Sequence, residues 1–202
     1  MAIATLTSEP TGPLSQSHQH EVAAAHERAR KIRKAASVAG FNGWVTGIFA
    51  VCSAPFAVFS LPGFLMTVGL SIVAYNEFRG RKRLLQFDRQ APAFLGWNQV
   101  AFLALIVCYC IWMLIAGLTS EGPLAAELKA KPELGAVFDS TGEFDELYRM
   151  LVVAVYGSII VLSGVFQGLN ALYYFSRRKY VNAYVEETPD WVLDLQRLTP
   201  PS

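Results

Sequence analysis

The sequence predicts an all-α integral membrane protein, with four transmembrane helices in a compact bundle and a short amphipathic helix at the C-terminus. Three observations carry that expectation. Hydrophobic residue types make up 53% of the 202 residues and charged types 16%, whereas a soluble domain carries about 25% charge. The missing charge is concentrated in three uncharged stretches: 42 residues from Ala35 to Asn76, 31 from Gln90 to Ser120, and 27 from Met150 to Ser176. A helix crosses a hydrocarbon core in about 20 residues, so the first stretch holds two crossings and the others one each. An outer-membrane barrel is excluded, because its strands alternate apolar and polar residues in segments of about 10.

Residues 1–37 read as an N-terminal tail. Met1 to Gln19 has no basic region followed by an apolar one, so no cleavable secretory signal is expected. Its Pro10, Gly12, Pro13, Ser15 and Ser17 predict disorder, which gives way to a basic helix from Glu21 to Lys34. The transmembrane domain is expected over 38–176. Span one is placed near 38–59 and span two near 62–78. Ser60-Leu61-Pro62-Gly63 is the preferred turn between them, since a Ser cap followed by Pro starts a helix. Ser53-Ala54-Pro55 is the competing break. A loop is expected from Glu77 to Arg89, with continuation of the helix from Phe78 into Leu84, Leu85 and Phe87 as the alternative. Span three runs from 94 to 118, and span four from 148 to 175. The external loop 119–147 contains Gly122, Pro123, Pro132, Gly135 and Gly142, with room for one short helix from Leu124 to Lys131. In the C-terminal segment 177–202, Thr188-Pro189-Asp190 starts a helix whose apolar stripe is Trp191, Val192, Leu195 and Leu198.

Orientation follows from basic residues near the span ends. The two tails and the 77–89 loop carry fourteen Lys and Arg, against three from Thr119 to Arg149, a segment that also holds seven acids. The positive-inside rule then puts the N-terminus, the 77–89 loop and the C-terminus in the cytoplasm of a bacterial-type inner membrane. Trp97 and Trp112, near opposite ends of span three, fit interfacial belts.

The chemistry is sparse. No ionisable residue is expected in the core of a span, which counts against ion-coupled transport. No phosphate loop, zinc-ligand pair or nucleophile elbow is present, so no enzyme activity, metal or cofactor is expected. His18, His20 and His26 lack a fourth ligand and a fixed geometry. Cys52, Cys108 and Cys110 are odd in number, lie in apolar stretches, and suggest neither a disulfide nor a reactive thiolate. Carboxamides are the main polar signal. Asn42, Asn76, Asn98, Gln99, Gln167 and Asn170 all fall toward the cytoplasmic ends of their spans. Interhelical hydrogen bonding is the simpler reading of these side chains, and a polar pocket for a lipid headgroup or solute is the alternative. Of the adjacent pair, Asn98 is expected to face Gln167 and Asn170.

The pairs Gly43/Gly47 and Gly164/Gly168 have the spacing that lets helix backbones approach. They are expected to join spans one and four, with a dimer seam as the alternative. Arg79, Arg81, Lys82, Arg83, Arg177, Arg178 and Lys179 form a basic face suited to anionic lipid rather than nucleic acid. The expected role is an accessory subunit or scaffold with a protein partner or a second copy of itself. A small-molecule or lipid transporter is the alternative.

Overall fold

The structure is a computed structural model that describes residues 15–120 and 141–198; the backbone alone is described for 141–144 and 196–198. All the elements among the described residues are helices: α1 (Gln16–Ala57), α2 (Leu61–Leu85), α3 (Ala91–Thr119), α4 (Thr141–Glu187) and α5 (Asp190–Leu198). The short helix expected over 124–131 lies outside the described residues.

Helix α1 is continuous across the expected boundary between tail and span. Ser15 caps it by accepting the His18 N–H at 3.3 Å, so residues 16–19, expected to be disordered, are helical. Its buried residues Ala25, Ala29, Ile32, Ala36, Ala39, Gly43, Thr46 and Ala50 alternate spacings of four and three. That heptad seam of small side chains brings the neighbouring helices close. Pro55 sits in the last turn of α1, so the competing break at Ser53-Ala54-Pro55 is not used. The chain reverses over Val58–Ser60. Ser60 then caps α2 by accepting the Gly63 N–H at 3.1 Å, with Pro62 in the first turn.

The expected 77–89 loop is mostly helix, because α2 runs on to Leu85. It ends in a tight cap: the Phe87 N–H reaches Leu84 O at 3.0 Å and the Asp88 N–H reaches Arg83 O at 3.1 Å. This pattern puts the residue before Asp88 in the left-handed region, normally a glycine position. Here it is Phe87, at φ 56°. Its ring stacks on Tyr184 with centroids 4.3 Å apart, and that burial offsets the backbone strain.

Helices pack in sequence, α1 on α2, α2 on α3 and α3 on α4, with a thinner contact between α1 and α4. Bulky side chains of one helix seat on glycines of the next, Leu95 on Gly80 and Phe175 on Gly96. The packed core lies at the charged end of the molecule. It joins Ala25, Ala29 and Ile32 of α1 to Leu84 and Phe87, Ala91 and Leu95, Tyr174, Val181 and Tyr184 of α4, and Val192 and Leu193 of α5. Helix α4 is also continuous, so the boundary expected at 176/177 is not a break. Helix α5 starts where expected and docks on α1, but it buries Val192 and Leu193 while Trp191 and Leu195 stay partly exposed. The side chain of Leu198 lies outside the described residues.

Three helices, α1, α3 and α4, are long and apolar enough to cross a membrane, which is compatible with a multi-pass membrane protein. The fourth expected span, α2, falls short for a physical reason. Its apolar portion, Leu61 to Tyr75, is followed directly by Asn76 and Glu77. Those 15 residues rise about 22 Å, less than a hydrocarbon core of about 30 Å.

The α2–α3 turn is tied by Arg83 Nε donating to Asp88 Oδ2 at 2.7 Å and the Gln90 N–H donating to Asp88 Oδ1 at 2.8 Å. Partial burial works to raise the Asp88 carboxyl, but these bonds and the Arg83 charge outweigh it and hold the carboxyl below its ordinary range. A depressed carboxyl contributes stability above its unfolded pKa of about 3.9 and loses it as pH falls through the folded value. Asp88→Asn should therefore lower the thermal midpoint in mild detergent at pH 7 by the equivalent of up to about 1 kcal/mol. The gap to wild type should close as the pH is taken below about 4. An equal gap at both pH values would count against the ionised turn.

Candidate functional site

The polar cluster is built around a residue that the sequence reading placed at the edge of a loop. Glu77 is fully buried on α2 and accepts hydrogen bonds from side chains of two other helices. Asn98 Nδ2 and Gln99 Nε2 of α3 donate to its Oε1 at 2.7 and 2.8 Å. The Tyr174 hydroxyl of α4 donates to its Oε2 at 3.1 Å. Further hydrogen bonds lock the donors. Asn42 Nδ2 of α1 donates to the Tyr174 oxygen at 3.2 Å, Asn76 Nδ2 to Asn98 Oδ1 at 3.2 Å, and Asn98 Nδ2 also reaches Val73 O at 3.2 Å. Four helices thus meet at one acid. None of the described ion pairs involves Glu77, so its hydrogen-bond partners are all neutral.

The expectation that no acid lies within the packed spans is therefore corrected. Glu77 sits on the buried stripe Leu70, Val73, Glu77, Gly80 and Leu84 of α2, at helical spacing. That stripe was visible in the sequence, but ending the span at 78 hid it.

The six carboxamides are brought near one another, in a different arrangement from the one expected. Asn98 does not face span four, because its partners Asn76, Glu77 and Val73 are on α2. Gln99 takes that place. With Asn42, Thr46, Gln167 and Asn170, and with Val45, Phe49 and Phe102, it lines a cavity of about 150 Å³. Gln99 Oε1 and Gln167 Oε1 are buried without a hydrogen-bond partner. Tyr174 was not singled out from sequence, since a tyrosine near a span end reads as interfacial.

The glycine pairs also separate. A Cβ on Gly43 would meet Glu77 and Phe78, and one on Gly47 would meet Ala74, so α1 uses both to seat α2 rather than α4. Gly164 and Gly168 meet nothing within 4 Å, so the expected joining of spans one and four through these pairs is not found. On the basic face, Arg79, Arg81, Lys82, Arg178 and Lys179 are exposed. Arg83 is held by Asp88 and lies over the Phe94 ring, and Arg177 lies over Tyr173 with its guanidinium 4.2 Å from the centroid. His18 packs edge-on against Trp191. Cys52 and Cys108 are exposed, Cys110 is buried, and all three are free.

Comparison with protein families, curated proteins and solved structures returns no match. The chemistry of the cluster therefore rests on its own geometry. A carboxyl with three neutral donors and no cation can hold helices together, and it can orient the amides around it.

Glu77→Ala should be severe, because it leaves the buried donors of Asn98, Gln99 and Tyr174 without their acceptor. A loss of about 3 kcal/mol or more is expected in denaturation from mild detergent. Glu77→Gln keeps an acceptor for Asn98 and Gln99, so it should lose less than half as much. Equal losses from the two substitutions would mean that volume, not hydrogen bonding, matters at this position.

Proposed function

We propose that the chain is a four-span inner-membrane protein serving as an accessory subunit or scaffold, with no catalytic role. The observation that carries the reading is the uncovered face of α4. Only 6% of its most apolar window is buried within the chain, and 11% of that of α3. Gly157, Gly164 and Gly168, spaced seven and four apart, face open space along α4. Glycine on a helix face admits another helix backbone at close range. The occupant proposed is a transmembrane helix of a partner protein.

Packing at the charged end supports α2 as the fourth span. Leu84 and Phe87, at the end of α2, share a core with Ala25 to Ala39, in the first half of α1. Helix α2 therefore returns across whatever depth the apolar half of α1 has crossed. The shortfall in its length is met by local thinning of the bilayer or by flanking residues reaching the interface. With fourteen of seventeen Lys and Arg at this end, it is assigned to the cytoplasm. The exposed Arg79, Arg81, Lys82, Arg178 and Lys179 then lie where anionic headgroups attract each charge by about 1 kcal/mol.

A transporter of a small molecule or lipid is the second reading, favoured by the cavity beside Gln99 and Gln167.

Two experiments test the proposal. In a variant with the three native cysteines replaced, single cysteines at Ser140 and Ser202 should react with an impermeant thiol reagent from opposite faces of sealed vesicles. Labelling of both from one face would overturn the topology. In native mass analysis after mild-detergent purification, the chain should travel with a stoichiometric partner. Gly164→Leu with Gly168→Leu should release that partner while leaving the thermal midpoint within about 2 °C of wild type, since neither glycine packs within the chain. A monomer in both cases would reject the accessory role, and a homodimer lost in the variant would put a second copy on the face instead.

A further inference from the structure

We propose that the groove between the N-terminal half of α1 and the C-terminal end of α4 binds a phosphate group, carried by an anionic phospholipid or by a free phosphate ester. The groove has a volume of about 420 Å³, and its lining includes Arg28, Arg30 and Lys31 of α1 and Tyr180 and Tyr184 of α4. The α1 cations are separate from the exposed basic face of α2 and α4, so this is a second positive feature and a concave one. Its acids are already matched. Glu27 pairs with Arg30 at 3.1 Å and Glu187 with Arg28 at 3.2 Å, while the neighbouring Glu186 pairs with Arg89 at 3.5 Å. Lys31, Arg177 and Lys179 are in none of the described ion pairs, yet all three gather about one ring. Their charged groups lie 4.5, 5.4 and 5.2 Å from the centroid of Tyr180.

Cations held this close repel one another. A ring quadrupole attracts each of them but cancels no charge, whereas an anion does. Tyr184 on the groove wall experiences the same field. Burial holds its hydroxyl above the ordinary range, and the Arg33 and Arg28 charges act against that shift. The pairs made by Arg28 and Arg30 are solvent-exposed and therefore weak. Both guanidiniums can turn to a phosphate, which arginine holds through paired N–H···O bonds. At about 30 Å³ per water-sized group the groove takes about 14 such groups, room for a phosphate with a glycerol attached. Depth favours a lipid as the source. Tyr180 lies five residues beyond Phe175, the end of the fourth expected span, which is a rise of about 7 Å. The headgroup layer adds about 5–8 Å on each side of the hydrocarbon core, and basic pockets between membrane helices at the cytoplasmic side suit anionic headgroups. Only this depth argument rests on the topology proposed for the chain; the groove and its charges do not.

The test is isothermal titration of the purified full chain in mild detergent at pH 7.5 and about 0.15 M salt, where distant charges are screened. It needs neither a partner nor a sealed membrane, so its failure is separable from failure of the scaffold reading. Dioctanoyl phosphatidylglycerol should bind saturably, one per chain. Dioctanoyl phosphatidylcholine, whose phosphate is balanced by its own ammonium, should bind at least about tenfold more weakly. Lys31→Gln with Lys179→Gln should weaken phosphatidylglycerol binding by about tenfold or more. Arg79→Gln with Lys82→Gln removes two charges from the basic face outside the groove lining and should weaken it less than about threefold. All four side chains are exposed, so the folds should survive. Arg30→Gln, compared with Arg79→Gln alone, is the substitute if the first variant does not fold. Glycerol phosphate separates the sources: its binding identifies a site for any phosphate ester, and binding of phosphatidylglycerol alone identifies a lipid site. The proposal is overturned if neither probe binds saturably, if phosphatidylcholine binds as tightly as phosphatidylglycerol, or if the groove variant loses no more affinity than its control.

Discussion

A carboxyl group on a buried helix seam has to be given hydrogen-bond donors, and much of this structure follows from meeting that demand for Glu77. Burying an unpaired polar group costs several kcal/mol where water cannot reach. Glu77 sits where α2 faces its neighbours, between Val73 and Gly80. Helix α3 answers with two adjacent carboxamides, Asn98 and Gln99, which would point in directions about 100° apart on an ideal helix yet both reach one oxygen of Glu77. Helix α4 answers with Tyr174, held in turn by Asn42 of α1. Sliding any one helix by a residue would break this set, so the acid fixes the relative register of all four.

Small residues make that convergence possible. The alanine seam of α1, with Gly43 against Glu77 and Phe78, lets α1 and α2 lie close. Gly80 and Gly96 accept Leu95 and Phe175, bringing α3 against α2 and α4. Toward the other end the apolar halves of α3 and α4 are largely uncovered. Lipid tails solvate leucine as well as leucine does, so an uncovered apolar face carries no penalty in a bilayer. The distribution of burial thus tracks where polarity must be hidden, not where hydrophobicity is greatest.

The sequence made the helices easy to see and their junctions hard. Uncharged stretches, the Ser60 cap and the Thr188-Pro189-Asp190 start mark the elements closely. What was not legible is continuity. Charge tells where a membrane ends but not where a helix ends, so the basic segments of α1 and α4 read as separate tails. The same habit hid Glu77, because an acid followed by Arg79, Arg81 and Lys82 reads as the start of a loop. Only its spacing from Leu70, Val73 and Leu84 shows that it points inward. The carboxamides were legible as a group, but which of Asn98 and Gln99 faced which helix depended on the acid between them and α2. The side of α4 that packs could not be read either, since glycines mark close approach without saying which neighbour approaches.

Holding the helices together and orienting their amides are here two consequences of one set of bonds. An amide has donors at one end and an acceptor at the other. When Glu77 draws the donor end of Gln99 toward itself, and Tyr174 draws that of Asn42, the acceptor end of Gln99 is left buried without a partner. A neutral hydrogen-bonding pair on α2 would not impose this polarity, because amides paired with amides settle in either sense. The carboxyl oxygens of Glu77, which accept from Asn98, Gln99 and Tyr174, do impose it. The cluster that sets helix register therefore also sets which end of the Gln99 amide is left over, and it is the carbonyl oxygen.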